Sequence, residues 1–306
     1  MSSTRKSVGY IGLGNMGQPM ALRLCRAGLR VNIFGRNQDR LRPALEAGAV
    51  SWSNAKEVAE NSDIVFLCLT DTVAVEQVVF GESGVSAGSR PGTHLIDMST
   101  ISPKATKEMA GRLAQESGMK WLDAPVSGGT VGATDGTLNI FVGGDQADFD
   151  AVFQTLKQVG RNITLMGRVG AGQNTKLVNQ IILSCTVAVL AEAAAFAERL
   201  GLNVHAMPQA LAGGRADSTS LQNYWPRLVA RDYSTLSTVT SIVKDLHLIQ
   251  DTGRPIGALL PFSSAVNEYY KVLVNAGYAG EDLTALARLF ASPVGNTSLK
   301  AVASKT

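Results

Sequence analysis

The first half of this chain alternates short apolar runs with segments of helical period, and that alternation restricts the fold more than any other feature. Val8 to Leu13, Val31 to Phe34, Ile64 to Leu69, His94 to Asp97, Trp121 to Asp123 and Leu138 to Val142 read as strands. The segments 16–28, 37–47, 54–61, 73–80 and 102–117 read as helices. Strands that are apolar along most of their length need cover on both faces, and helices between them return each strand parallel to the last. The expectation is an α/β fold, a doubly wound and mainly parallel Rossmann sheet.

The rhythm stops near Met166, where Gly167, Gly170 and Gly172 make a flexible approach to something different. From Asn174 to about Leu200 the sequence reads as one helix, apolar nearly all round, so it is expected to be buried between layers as a spine joining two domains. Helix-like segments follow at roughly 205–213, 217–229, 235–254, 258–276 and 282–291. Two domains suit a chain of 306 residues: a sheet domain over 1–167, and an all-α domain over 168–306 that begins with the interdomain helix. The longest apolar run, Ile181 to Ala191, is too short for a bilayer, and no secretory signal precedes the first strand. A cytoplasmic protein without a membrane partner is expected.

The charge balance excludes other classes. With 28 basic and 25 acidic side chains the net charge is +3, and the basic residues are scattered, which argues against nucleic acid. Cys25, Cys68 and Cys185 are odd in number, far apart and set in apolar segments, as expected of reduced core thiols. No metal-ligand cluster is visible in the sequence.

Function enters at the first strand, which runs into Gly12-Leu13-Gly14-Asn15-Met16-Gly17 and then a helix. A lone G-x-G-x-x-G is weak evidence, but after a strand and before a helix it reads as a dinucleotide-binding turn. Gly12 permits the tight turn, Gly14 lets the backbone approach a pyrophosphate, and Gly17 lets helix and strand pack closely. At the end of the second strand, where an NAD enzyme offers a carboxylate to the ribose, this chain has Gly35-Arg36-Asn37. Arg36, with Arg40 nearby in sequence, could hold a 2′-phosphate, so NADP is preferred and NAD remains open.

Three further segments carry chemistry. Asp123-Ala124-Pro125-Val126-Ser127-Gly128-Gly129 is either a plain turn or a set of donors, Ser127 and the amides of Gly128 and Gly129, that would hold a carboxylate near the nicotinamide. Gly170-Ala171-Gly172-Gln173-Asn174-Thr175-Lys176-Leu177-Val178-Asn179-Gln180 opens the long helix, with Lys176 and Gln180 four apart on one face. Lys176 by itself is either a snorkelling surface residue or a functional one. Lys244-Asp245-Leu246, by itself, would pass for a surface charge pair.

Together these segments resemble the β-hydroxyacid dehydrogenase family over essentially the whole chain; the DAPVSGG and G-x-G-x-x-x-K segments are specific to it. The resemblance implies a nicotinamide-dependent enzyme that interconverts a small β-hydroxy acid and its semialdehyde or keto acid. It implies that Lys176 is catalytic, that Ser127, Gly128 and Gly129 bind substrate, and that Leu69, Thr70, Thr100 and Lys244 reach the cofactor. Gln180 stands where the family usually has Asn, so it should still hydrogen-bond substrate but from further out. Ser237 stands where many members place Phe. Similar proteins form homodimers or homotetramers, which is expected here too. Imine reductases share this architecture but typically lack the lysine, and a cofactor-binding protein without turnover is the remaining alternative.

Overall fold

The structure, a computed structural model, describes residues 6–290. These form two compact units: the chain up to Asn179 with Asp251–Gly257, and Gln180–Gln250 with the chain from Ala258. The division falls inside the long helix.

In the first unit the elements run β1 (Ser7–Ile11), α1 (Gly17–Arg26), β2 (Arg30–Phe34), α2 (Gln38–Glu46), β3 (Val50–Ser51), α3 (Ala55–Glu60), β4 (Ile64–Leu67), α4 (Thr72–Phe80), α5 (Val85–Gly88), β5 (His94–Asp97) and α6 (Pro103–Ser117). They continue through β6 (Lys120–Asp123), β7 (Val126–Ser127), α7 (Gly129–Asp135), β8 (Leu138–Gly143), α8 (Gln146–Leu156) and β9 (Gly160–Gly167) to α9 (Ala171–Arg199). The nine strands form one sheet in the order β3-β2-β1-β4-β5-β6-β8-β7, with β9 beside β8. β1 lies between β2 and β4, both parallel to it. The chain therefore builds outward on one side of β1 and then returns to the other, leaving a crevice at the carboxyl ends of β1 and β4.

The apolar strands are explained by a core on each face. Val8 and Tyr10 of β1 and Ile64 and Phe66 of β4 pack on one side with Leu24, Ile33 and Leu122. Ile11 of β1 and Val65 and Leu67 of β4 pack on the other with Val75, Leu95 and Leu113. Tyr10 and Phe66 stack with ring centroids 5.8 Å apart. Burying a side chain of that size contributes roughly 1.5–3 kcal/mol, so the paired faces of β1 and β4 hold the centre of the sheet.

The far edge departs from the expected parallel pattern. β8 runs antiparallel to β6 and β7, pairing Val126 with Ile140 and Ser127 with Asn139, while β9 is parallel to β8. The sequence pattern does not predict β3, α5, β7, α7, α8 or β9. Three of these span four residues or fewer, too few to show a period. α7 contains two glycines and two threonines, poor helix formers that tertiary packing overrides. The thiols are also less uniform than expected: Cys25 is buried, but Cys68 and Cys185 are only half-buried, and none of the three is in a disulfide.

The second unit continues α9 and adds α10 (Met207–Leu211), α11 (Thr219–Ala230), α12 (Val239–Gly253), α13 (Pro261–Asn275) and α14 (Ala287–Phe290). Its one extended pairing among the described residues is an isolated bridge, Thr238 to Asp282. α12 starts at Val239 instead of 235 because buried Asp282 holds the preceding turn, accepting the Leu236 and Ser237 amides at 2.8 and 2.9 Å and Arg227 Nη1 at 2.9 Å.

One expectation about α9 needs correction. The apolar run Ile181 to Ala191 sits in a helix of 29 residues, long and apolar enough to cross a membrane by length and composition. Half of its most apolar stretch is buried inside the protein, and Gln173, Lys176, Gln180 and Ser184 are buried polar residues along it. A core helix meets the same criterion.

Candidate active site

β1 ends at Ile11 and the chain turns through Gly12 and Gly14 into α1. A Cβ on Gly17 would lie 2.0 Å from the Gly12 carbonyl oxygen, so turn and helix meet backbone to backbone. Gly14 differs: it is exposed, and nothing lies within 4 Å of where its Cβ would be. No side chain caps α1 at Met16. Open space at Gly14 beside an uncapped helix start fits the pyrophosphate of a dinucleotide.

The loops beside this turn carry the other expected cofactor residues. The Cys68 amide extends the β1–β4 ladder to Ile11 at 3.0 Å, which brings Leu69 alongside Gly12, with Thr70 next in the chain. The Leu69 amide donates to Ser99 Oγ at 2.9 Å, tying that loop to the one holding Thr100. Ser99 is itself held by its own amide on Asp97 Oδ1 at 3.0 Å. Arg36 is exposed just beyond β2. Its neighbour Asn37 caps α2, accepting the Asp39 amide at 3.0 Å.

The lysine end is built from two segments that the sequence only juxtaposes. Lys176 is buried and its Nζ donates to the Val126 carbonyl at 2.8 Å. That bond places the ammonium at β7, next to Ser127. Gly128 follows with φ of 133°, a conformation that L side chains rarely adopt, and its turn leads into α7, whose start no side chain caps. A buried ammonium beside a half-buried serine and the glycine amides can bind an anionic group and deliver a proton next to it.

Asp123, the last residue of β6, fixes this pairing. Its buried carboxylate accepts the Gly170 amide at 2.7 Å and the Gln173 amide at 2.8 Å. It caps the start of α9 from another element, since Gly170 has no side chain of its own. Burial pushes the Asp123 carboxyl above its ordinary value, with the amides of Gly170, Gln173 and Gly172 opposing in part. The sequence by itself assigns no role to Asp123 or Gln173. The available signal was their place inside the two family-specific segments.

Three expected residues lie in the second unit and are described within it. Gln180 Nε2 donates to Asp245 Oδ2 at 2.5 Å, and Lys244 Nζ lies 3.2 Å from Asp245 Oδ1. Ser237 is half-buried in the turn that Asp282 holds.

A glycine turn at a sheet crevice, with a buried lysine beside a small-residue loop, defines the class of dinucleotide-dependent oxidoreductases. Comparison with known proteins narrows it. The family described as the NAD binding domain of 6-phosphogluconate dehydrogenase matches residues 7–167. The family described as NAD-binding of NADP-dependent 3-hydroxyisobutyrate dehydrogenase matches residues 170–290. The 2-hydroxy-3-oxopropionate reductase of Escherichia coli strain K12 is 41% identical over 92% of this chain and 96% of its own length. A crystal structure of 3-hydroxyisobutyrate dehydrogenase from Salmonella typhimurium is 31% identical with a TM-score of 0.84, over 93% of this chain and 99% of that one. An imine reductase from Pseudomonas sp. shares the fold at 22% identity and a TM-score of 0.63, over 94% of this chain and 100% of that one. The chain belongs to the β-hydroxyacid dehydrogenase family, whose members are NAD(P)-dependent hydroxyacid dehydrogenases.

The raised carboxyl of Asp123 has a consequence for stability. A folded-state value above the ordinary 3.8 means that the native protein holds this proton more tightly than the unfolded chain. Its stabilising contribution is therefore complete below that ordinary value and is lost as pH rises through the folded one. Urea unfolding of Asp123→Asn across the acidic range should show a flatter dependence on pH than the unaltered protein; an equal slope in both would contradict the assignment.

Proposed function

We propose that this enzyme transfers hydride between NADPH and a small carbonyl acid, with Lys176 as the proton donor, and that 2-hydroxy-3-oxopropionate is the first substrate to test. The observation that carries the reading is the buried Lys176 ammonium donating to the Val126 carbonyl one residue before Ser127. The 41% identical relative named for 2-hydroxy-3-oxopropionate suggests the acid.

The bound nicotinamide supplies the hydride. Ser127 and the amides of Gly128 and Gly129 hold the substrate carboxylate, which orients the carbonyl. Lys176 gives its proton to the oxygen that becomes the hydroxyl and takes it back in the reverse direction. The Gly12–Gly17 turn, Leu69, Thr70 and Thr100 would hold the cofactor; in the second unit the family resemblance assigns Lys244 to the cofactor and Gln180 to the substrate. Cysteines outside any disulfide fit the reducing cytoplasm, where we place the protein.

The coenzyme preference rests on Arg36, which stands where a carboxylate would repel a 2′-phosphate. An Arg–phosphate hydrogen bond is worth about 1.5–3 kcal/mol, so Arg36→Ala should lower the ratio of NADPH to NADH efficiency by about tenfold or more. Steady-state kinetics with both coenzymes give that ratio, and an unchanged value would remove the NADP preference.

Lys176→Ala should lower kcat with the carbonyl acid by about 10²–10⁴-fold while NADPH binding, followed by fluorescence titration, persists. Near-normal turnover would show that another group donates the proton.

The outer face of α9 carries Ile182, Val189 and Phe196, exposed to 63, 65 and 63%. These positions share one stripe of the helix, and we assign it to contact with a second copy of the chain. Light scattering should report a dimer or tetramer that Val189→Glu weakens; a monomeric wild-type protein would contradict this.

A further inference from the structure

Gln173 precedes Lys176 by three residues on α9 and is completely buried. Its side-chain nitrogen donates to the Ser99 carbonyl at 2.8 Å, and its side-chain oxygen accepts the Ile101 amide at 3.2 Å. Its own backbone amide is the one held by Asp123 at 2.8 Å. The side chain thus meets a carbonyl and an amide two residues apart, as a neighbouring strand would. A primary amide of this length offers both a donor and an acceptor there. A hydrocarbon of the same shape would strand both backbone groups, and a carboxylate would face the Ser99 carbonyl with no proton to give.

The connections of this residue reach each part of the first-unit site. Ser99 Oγ accepts the Leu69 amide, Thr100 lies between the two backbone groups that Gln173 binds, and Lys176 lies one turn further along the same helix. We propose that Gln173 is a positioning residue for hydride transfer, fixing the first turn of α9 to the Ser99–Ile101 loop and so setting the distance between Lys176 and the cofactor-side loops. The inference rests on Lys176 as proton donor and adds the means by which the lysine is placed. Asp123 holds the backbone of the same turn from the opposite loop. The turn is therefore pinned on both sides, to the loop after β5 and to the end of β6, and a shift of either anchor displaces the ammonium.

The test uses Gln173→Met in the full-length enzyme, which keeps the side-chain volume and removes both hydrogen bonds. Misplacement by about 1 Å can slow a reaction about a hundredfold, so kcat should fall at least about tenfold while the NADPH dissociation constant stays within about threefold. The primary isotope effect with NADPH deuterated at the transferred position should rise as hydride transfer becomes slower than the other steps. A kcat within about twofold of wild type overturns the proposal. So does a loss of activity that matches the loss of folded protein and leaves the isotope effect unchanged. If Gln173→Met does not fold, Asp123→Asn, which still accepts one of its two amides, is measured in the same way, and failure of both to fold assigns the pair to folding alone.

Lys176→Ala separates the two claims. Turnover lost in Lys176→Ala but kept in Gln173→Met overturns the positioning role alone; turnover kept in Lys176→Ala overturns the proton donor and the positioning role with it.

Discussion

A carboxylate buried at the end of a strand is costly unless every lone pair finds a partner, and Asp123 is such a carboxylate. Its partners are the amides at the start of α9, which a helix leaves unsatisfied and which its dipole makes receptive to negative charge. The helix needs an acceptor because Gly170 carries no side chain, and the strand needs donors because its last residue is out of water. Each element meets the other's unpaired groups, so the register between β6 and α9 has little freedom. The Val126–Lys176 bond follows from it: Val126 stands three residues after Asp123, and Lys176 three residues after Gln173.

The glycines around Asp123 show how closely these elements approach. A Cβ on Gly143 would lie 2.4 Å from Asp123 Oδ1, and one on Gly172 would lie 2.3 Å from the Phe141 carbonyl and 2.6 Å from that of Asp123. In an ordinary helix alanine would be preferred to glycine at Gly172. Here the added methyl would push β8 and α9 apart. The antiparallel pairing of β8 with β6 and β7 belongs to the same arrangement, because it brings Gly143 opposite Asp123 and folds the Val126–Gly129 turn back toward the helix.

The central parallel strands were legible in the sequence because each is apolar on both faces, and their boundaries held to within about two residues. The glycine turn was legible because its context, strand before and helix after, is local. The far edge of the sheet was not, since β7 has only two residues and β9 is largely exposed, leaving no apolar period to read. The site divided along the same line. Lys176 and Ser127 could be named from motifs, but by chemistry alone Lys176 was equally a surface residue. Its burial depends on a carbonyl fifty positions away in sequence. Asp123 and Gln173 were hidden for a related reason: each acts on backbone groups, and a backbone group has no residue type for a sequence to display.

Within the second unit the polar groups of Gln180 and Lys244 are set by Asp245. A carboxylate can only accept, so Asp245 fixes the Gln180 amide with its nitrogen toward Asp245 and its oxygen turned the other way. Compared with asparagine, the added methylene of glutamine moves the amide one bond further from the helix axis. Asp245 also pairs with Lys244, so one carboxylate restrains two of the residues proposed to meet ligands. A change at Gln180 would therefore be felt at Lys244 through Asp245, and the two side chains are not independent in this unit. Ser237 lies in the same unit, half-buried in the turn that Asp282 holds through the Ser237 amide, so a second buried carboxylate places a polar side chain here.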